Sequence, residues 1–340
     1  MPEPNADRYS RQILFAGIGA EGQRRLGAST VALAGCGALG AFQAGALARA
    51  GVGCLRLIDR DYVEWSNLQR QWLYEEQDAR DGLPKAVAAA RRLACINSEI
   101  AVEAHVSDLA PDNAAELLDG CDLVMDGTDN FETRYLINDW CVDRAVPWVY
   151  GGAVAGYGLS MPVLPGRTAC FECVYPEPPS GAQPTCETAG VLNAITSLVA
   201  SWQVAAALKI LTGHGDELPA RITVFDAWGG TVRQVQMPPR DANCPACAQR
   251  SCRHLNGEGR APISLCGRNA VQIHDRRRPL DLVALAASLE RLGTVRANEF
   301  ALRFEVDAYQ LTIFPDGRAI IKGTTDPGLA RSLYSRYIGN

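Results

Sequence analysis

Histidine is scarce in this chain of 340 residues: His105, His214, His254 and His274 share no spacing, so no catalytic histidine is expected. Also missing is any run of about 18 uninterrupted apolar residues, the length a membrane-spanning helix needs. No charged segment leads into an apolar one at the N-terminus, as a secretory leader would require. The expectation is a soluble, cytoplasmic protein without a membrane partner. Basic runs are short, the longest being Arg276-Arg277-Arg278, and the formal charge is -5. Such a chain has no field to gather nucleic acid, and the arginine run reads as a solvated loop.

What the chain does have is 47% hydrophobic and 21% charged residues, enough for one large core or a main domain with a smaller one. It also has 12 cysteines. At this length, and without a leader, these read as reduced thiols available for metal or catalysis rather than as a disulfide framework.

The first half alternates strand-like and helix-like segments. Strands are expected at Thr30 to Ala34, Cys54 to Asp59, Ala101 to Val106 and Asp122 to Asp126. Helices are expected at Ala38 to Ala50, Lys85 to Asn97, Asp112 to Leu118 and Phe131 to Arg144. Alternation of this kind predicts an α/β fold, a Rossmann-like doubly wound sheet. Further strands are read at Pro147 to Tyr150, Leu159 to Leu164, Arg221 to Asp226 and Thr231 to Gln236, with a long helix from Val191 to Leu211. The Pro- and Gly-rich stretch from Tyr175 to Gly190 reads as a mobile surface loop. Three parts follow: a domain over residues 1–250, a linker over 251–262, and a small C-terminal α+β domain over 263–340. The last should read strand, helix (Leu280 to Leu292), two or three strands with a turn at Pro315-Asp-Gly317, and a final helix.

Gly35-Cys-Gly-Ala38-Leu-Gly40 follows a strand and opens a helix, and Asp59 comes 19 residues after Gly40 at the end of the next strand. In that context Gly35, Gly37 and Gly40 let backbone N–H groups approach phosphate, and Asp59 can accept hydrogen bonds from ribose hydroxyls. Directly after Asp59 lies a polar cluster, with Asp61, Ser66, Asn67, Arg70 and Gln71, and further on Lys85. Arg70 and Lys85 offer positive charge for a triphosphate. Asp126-Gly-Thr128-Asp129-Asn130 ends a later strand on the same sheet edge, where a carboxylate can hold magnesium between phosphate oxygens. A nicotinamide or flavin oxidoreductase would share the glycine loop, but has no need of those cations and that acid.

Two Cys-x-x-Cys pairs, Cys170/Cys173 and Cys244/Cys247, stand about 70 residues apart. They can close a tetrahedral thiolate site for Zn2+, and four protein ligands leave no open position for catalysis, so this zinc would be structural. Cys252 is a competitor ligand without a partner of its own. Cys36, Cys54, Cys95, Cys121 and Cys141 read as core residues, and Cys266 is left unassigned. Cys186 sits in the Pro- and Gly-rich loop just before a helix, where exposure and a helix N-terminus can lower a thiol pKa. It is either a nucleophile or a loop cysteine without chemistry.

Arg8-Tyr-Ser-Arg11-Gln-Ile, the glycine loop, Asp59-x-Asp61, Asn67-Leu-Gln-Arg70-Gln71, Pro84-Lys85, Thr128-Asp129-Asn130, the two cysteine pairs and Thr185-Cys186-Glu-Thr-Ala-Gly190 form one ordered set over roughly residues 8 to 250. As a set they resemble the MoeB/ThiF family of ubiquitin-activating-like enzymes. The resemblance implies an adenylyltransferase. Such an enzyme uses ATP and Mg2+ to activate the C-terminal glycine of a ubiquitin-like sulfur carrier protein, releases pyrophosphate, and prepares a thiocarboxylate with sulfur from a donor protein. It further implies that Asp59 binds ribose, that Asn67, Arg70 and Lys85 contact phosphates, and that Asp129 coordinates magnesium. Arg11 would reach the triphosphate of a neighbouring subunit, making a homodimer. Cys186 matches the position that ThiF-type members link covalently to the carrier. The spacing from Asn67 to Lys85 is longer than in the MoeB pattern.

The C-terminal domain lacks the cysteine-centred loop of the rhodanese domain found in some members, and partner recognition or dimer support is the expectation for it. Other readings are an activating enzyme of a bacterial protein-conjugation pathway, a non-catalytic partner subunit, and a dehydratase relative acting on transfer RNA. The complete set of nucleotide contacts argues against the second, and the cysteine pairs and weak basic character against the third.

Overall fold

The computed structural model describes residues 7–178, 188–258, 264–265, 270–273, 279–315 and 317–339. Chain contacts divide it into two compact units, Met1–Glu258 and Gly259–Asn340.

The first unit opens with two helices, α1 (Ser10–Ile13) and α2 (Gly19–Ala28), and enters its sheet at β1 (Thr30–Ala34). There follow α3 (Ala38–Ala50), β2 (Cys54–Ile58), α4 (Glu76–Asp81), α5 (Lys85–Ile96), β3 (Ala101–His105), α6 (Ala114–Leu118), β4 (Leu123–Asp126) and α7 (Phe131–Arg144). After these come β5 (Trp148–Val154), β6 (Tyr157–Val163), the short α8 (Phe171–Val174), α9 (Asn193–Lys209), β7 (Arg221–Asp226) and β8 (Thr231–Gln236). The strand order is β3-β2-β1-β4-β5-β6-β7-β8. Strands β1 to β5 are parallel to one another, whereas β6, β7 and β8 run antiparallel to their neighbours. The expected doubly wound sheet therefore covers only the first five strands. The rest pairs antiparallel in chain order: short turns join β5 to β6 and β7 to β8, while the connection from β6 to β7 carries α8 and α9.

Alternation along the central strands explains why helices cover both faces. Val31, Leu33, Leu55, Leu57, Leu123 and Met125 pack with α3, α5 and α9, while Ala32, Ala34, Ile58, Val124 and Trp148 pack with α6 and α7. The last strand, β8, is exposed along its whole length, Val232 and Val235 included. The Asn193–Glu217 segment that begins with α9 is, among the described residues, the one long and apolar enough to cross a membrane. Half of its apolar window is buried, and α9 lies against α3, β5 and β6. The helix is shorter than its apolar run suggests, because beyond Lys209 the chain widens into a looser turn containing Gly213 at φ 90.

In the second unit the strands are β9 (Ser264–Leu265), β10 (Ala270–Ile273), β11 (Thr294–Ala297), β12 (Leu302–Val306), β13 (Tyr309–Ile313) and β14 (Ala319–Lys322), with helices α10 (Leu282–Leu289) and α11 (Pro327–Tyr337). All pairings are antiparallel, in the order β11-β12-β13-β14-β10-β9. One core joins both helices to Leu302, Phe304, Leu311, Ile313 and Ile321. Each helix starts on an aspartate: Asp281 accepts the Val283 and Ala284 N–H groups, and Asp326 accepts that of Gly328, with Pro327 in the first turn. Four strands, not two or three, separate the helices. Thr294–Ala297 is short and mostly exposed, so it lacks the apolar run by which a strand is recognised. The expected turn at Pro315-Asp-Gly317 is centred on residue 316, which lies outside the described residues, as do Arg276-Arg277-Arg278, Cys266 and His274.

Of the cysteines expected in the core, Cys36, Cys121 and Cys141 are buried, but Cys54 is half-buried and Cys95 is exposed on α5. Residues 251–258, in the expected linker, bond to the first unit: the His254 and Leu255 N–H groups donate to Asp139, and Arg253 pairs with Glu172 at 2.5 Å.

Candidate functional site

Between β1 and β4 the strand order reverses direction, so the loops leaving these two strands part to opposite sides of the sheet and open a crevice. Backbone contact shapes the floor of this crevice. Gly35 has φ +88, and a Cβ there would lie 2.7 Å from the Gly127 carbonyl oxygen, beyond the end of β4. A Cβ at Gly40 would lie 1.8 Å from the Gly35 carbonyl oxygen. These two glycines are thus demanded by close packing. Gly37 differs: it caps α3 without a side-chain bond, and the nearest atom to a Cβ there is 3.9 Å away. The first-turn N–H groups of α3, around Ala38, are left open for an anionic group.

Asp59 fastens this loop from the next strand end. Its Oδ2 accepts the Cys36 N–H at 2.6 Å and its Oδ1 accepts that of Asp61 at 2.7 Å. Burial pushes the Asp59 carboxyl above its ordinary range, and the nearby Lys85 charge opposes that shift. Lys85 is itself buried, and its Nζ donates to Asp61 Oδ2 at 3.2 Å. The Tyr74 hydroxyl donates to the Cys36 carbonyl at 2.7 Å, closing the loop from the other side.

Asn67 is buried and its Oδ1 accepts the Glu64 N–H at 3.0 Å, so this side chain folds the turn after Asp61. Arg70 donates to the Ser66 carbonyl at 2.8 Å, and Gln71 is buried with no partner for Oε1 among the described residues. At the β4 end, Asp126 is fully buried while Asp129 is exposed, and Asn130 caps α7 by accepting the Thr133 N–H at 2.8 Å. The acid that can meet a cation there is Asp129. Arg11 is exposed on α1, and among the described residues no hydrogen bond joins it to this group. Cys186, with Thr185 before it, lies outside the described residues.

Three polar side chains that sequence reasoning passed over lie beneath the crevice. Arg134 pairs with Asp126 at 3.1 Å. Burial works against its charge, but Tyr150 and Asp126 beside it more than offset that, and its pKa is raised. Gln43 on α3 and Gln203 on α9 bond to each other at 2.7 Å, and both donate to the Asp126 carbonyl.

The two cysteine pairs come together. All four Sγ atoms of Cys170, Cys173, Cys244 and Cys247 lie within 4.8 Å of one another, with separations of 3.7 Å for Cys170–Cys173, 3.6 Å for Cys170–Cys244 and 3.5 Å for Cys173–Cys247. A tetrahedral zinc with bonds of about 2.3 Å sets its sulfurs about 3.8 Å apart, so the cluster fits the ion. The hydrogen bond between Cys170 and Cys173 pushes the first thiol far up and pulls the second down to about 4. Cys252 is not one of the four.

The model of the ThiF family matches residues 9–246. The chain is 43% identical to the sulfur carrier protein ThiS adenylyltransferase of Bacillus subtilis, over 98% of this chain and 99% of that protein. It is 40% identical to the sulfur carrier protein adenylyltransferase of Thermus thermophilus, over 71% of this chain and 90% of that protein. Among solved structures, that of Escherichia coli MccB with MccA-N7isoASN superposes with a TM-score of 0.63 and 22% identity, covering 73% of this chain and 76% of that one. The last likeness concerns the fold alone.

Proposed function

The chain belongs to the ThiF family, and from that premise we propose that it is an adenylyltransferase that uses ATP to activate the C-terminal carboxylate of a ubiquitin-like sulfur carrier protein. The observation that carries this reading is the crevice at the strand-order reversal, where an uncapped helix N-terminus lies with Asp59 and Asp129 beyond the ends of β2 and β4, and Lys85, which opens α5, reaches Asp61. The carrier carboxylate attacks the α-phosphorus of ATP, the bond to the β-phosphate oxygen breaks, and pyrophosphate leaves with the electron pair. Attack brings anions together, so cations and N–H dipoles must already face the triphosphate.

In this reading the α3 N-terminus at Gly37 and Ala38 receives phosphate, and Asp59 takes the ribose hydroxyls with the oxygen lone pairs its two backbone bonds leave over. Arg70 and Lys85 turn from Ser66 and Asp61 to the phosphates, and the Gln71 oxygen, which has no partner among the described residues, would accept from a hydroxyl or amino group of the nucleotide. Asp129, beside Thr128 and Asn130, would hold Mg2+, which when bound neutralises charge on the leaving pyrophosphate. Arg11 would complete the site of a second copy in a homodimer. The four-thiol cluster would hold structural zinc. Cys186 would carry the covalent link to the carrier, and a separate protein would supply the sulfur. The match over almost the whole ThiS adenylyltransferase of B. subtilis supports a ThiS-like protein as the carrier to test first.

The test is ATP–pyrophosphate exchange with purified carriers ending in Gly-Gly, beside Asp129→Ala. Exchange is expected with one carrier and should fall by at least ~100-fold in the variant. Silence across the panel while ATP still binds would sink the proposal.

A further inference from the structure

Arg134 takes no part in the chemistry just described, yet every bond it makes serves the loop that carries Asp129. Its side chain is 8% exposed and that of Asp126 is fully enclosed. Nε donates to Asp126 Oδ2 at 3.1 Å, and Nη2 donates to the Thr128 carbonyl at 2.8 Å and the Gly151 carbonyl at 3.2 Å. The other Asp126 oxygen accepts both the N–H and the hydroxyl of Thr128, at 2.8 and 2.6 Å. The Phe131 and Tyr150 rings flank the guanidinium at 5.4 and 5.0 Å. A buried ion pair adds little net stability over a well-packed apolar pair, so stability alone gives no reason to keep one here.

We infer that Arg134 is a positioning residue for the adenylation reaction, holding the Thr128 backbone, and so the Asp129 carboxylate that follows it, at a fixed place beside the glycine loop. The inference rests on the assignment of Asp129 to magnesium made above. The geometry gives it reach. Gly127 packs on Gly35 and Gly40 on one side of Thr128, and Arg134 ties the Thr128 carbonyl to β5 on the other. The planar fork spreads its donors over separate nitrogens, here Nε to the carboxylate and Nη2 to the two carbonyls, whereas an ammonium group gathers its three donors on one nitrogen and does not reproduce that spread. Arg134→Lys therefore keeps the buried charge and loses the clamp.

The test uses the full chain as wild type, Arg134→Lys, Arg134→Met and Asp129→Ala. It measures the magnesium concentration giving half-maximal ATP–pyrophosphate exchange with the carrier that supports exchange, and ATP binding in EDTA. Denaturant melts report which variants are folded. Arg134→Lys should bind ATP in EDTA as the wild type does and need at least ~10-fold more magnesium, because the metal-holding carboxylate is no longer preorganised. Should Arg134→Met fail to fold, Arg134→Lys still decides the matter. Loss of exchange in Asp129→Ala together with a wild-type magnesium requirement in Arg134→Lys overturns the inference alone. Exchange that survives in Asp129→Ala, or is absent from the wild type with every carrier, overturns the functional reading and the inference with it.

Discussion

Gly40 and Gly37 stand three positions apart in one loop and are required for opposite reasons. At Gly40 a methyl group would fall 1.8 Å from the Gly35 carbonyl oxygen, which is backbone and can move only if the loop opens. Gly40→Ala should cost ~1–3 kcal/mol in a denaturant melt and weaken ATP binding with it. At Gly37 a methyl group meets nothing closer than the Gly127 carbonyl oxygen at 3.9 Å, an ordinary contact that forces nothing to move. Gly37→Ala should melt like the wild type while binding ATP at least ~10-fold more weakly, because the added carbon occupies the approach to the α3 N–H groups. Calorimetric ATP titration beside the melts checks both, and equal losses of stability would refute the distinction. The sequence shows that both residues are glycine, but the partner that crowds Gly35 is Gly127, some ninety positions downstream, and no local pattern names it. Arg134 was hidden for a similar reason: a charged residue in a helix reads as solvent-facing until its partner is placed.

Among elements, α8 and the turn at Asp241–Cys247 meet at the four thiols, while α8 is also anchored by the buried Phe171 ring and by Glu172, which pairs with Arg253. Four residues of helix do not persist alone in water. Cys170→Ser should abolish zinc near one ion per chain and lower the melting temperature by several degrees, as chelation of the wild type should also do. Metal analysis of protein purified without chelator checks this, and a wild type lacking zinc would refute it. Elements of this kind differ in how plainly they are written. Strands β1, β7 and β8 and helix α7 run as their sequence patterns suggest, because Asn130 caps α7 and the three strands are bounded by turns. The reversal from parallel to antiparallel pairing after β5 is not written, since strand direction depends on connections rather than on side-chain period. Likewise Thr294–Ala297 escaped notice because pairing with β12, not burial, makes it a strand.

For the whole molecule, the two compact units pose the question of what the second contributes. The expected role is partner recognition or dimer support. A chain ending at Glu258 should then bind ATP as tightly as the full protein while losing affinity for the carrier or for its own copy. Ending at Arg253 instead would remove the His254 and Leu255 N–H groups from Asp139, whose carboxyl is pushed up by burial and drawn back by those two bonds. Calorimetric titration of both ligands into the shorter chain is the check, and lost ATP binding in a folded truncation would refute the expected role.

The thiol cluster draws one cysteine pair from just after β6 and the other from just after β8, with 74 positions between Cys170 and Cys244. During synthesis the first pair leaves the ribosome long before its counterpart exists, and α9, β7 and β8 must all be made in the interval. Capture of the proposed zinc would therefore be a late event in the life of the nascent chain, a latch set only after the last strand of the main sheet has emerged.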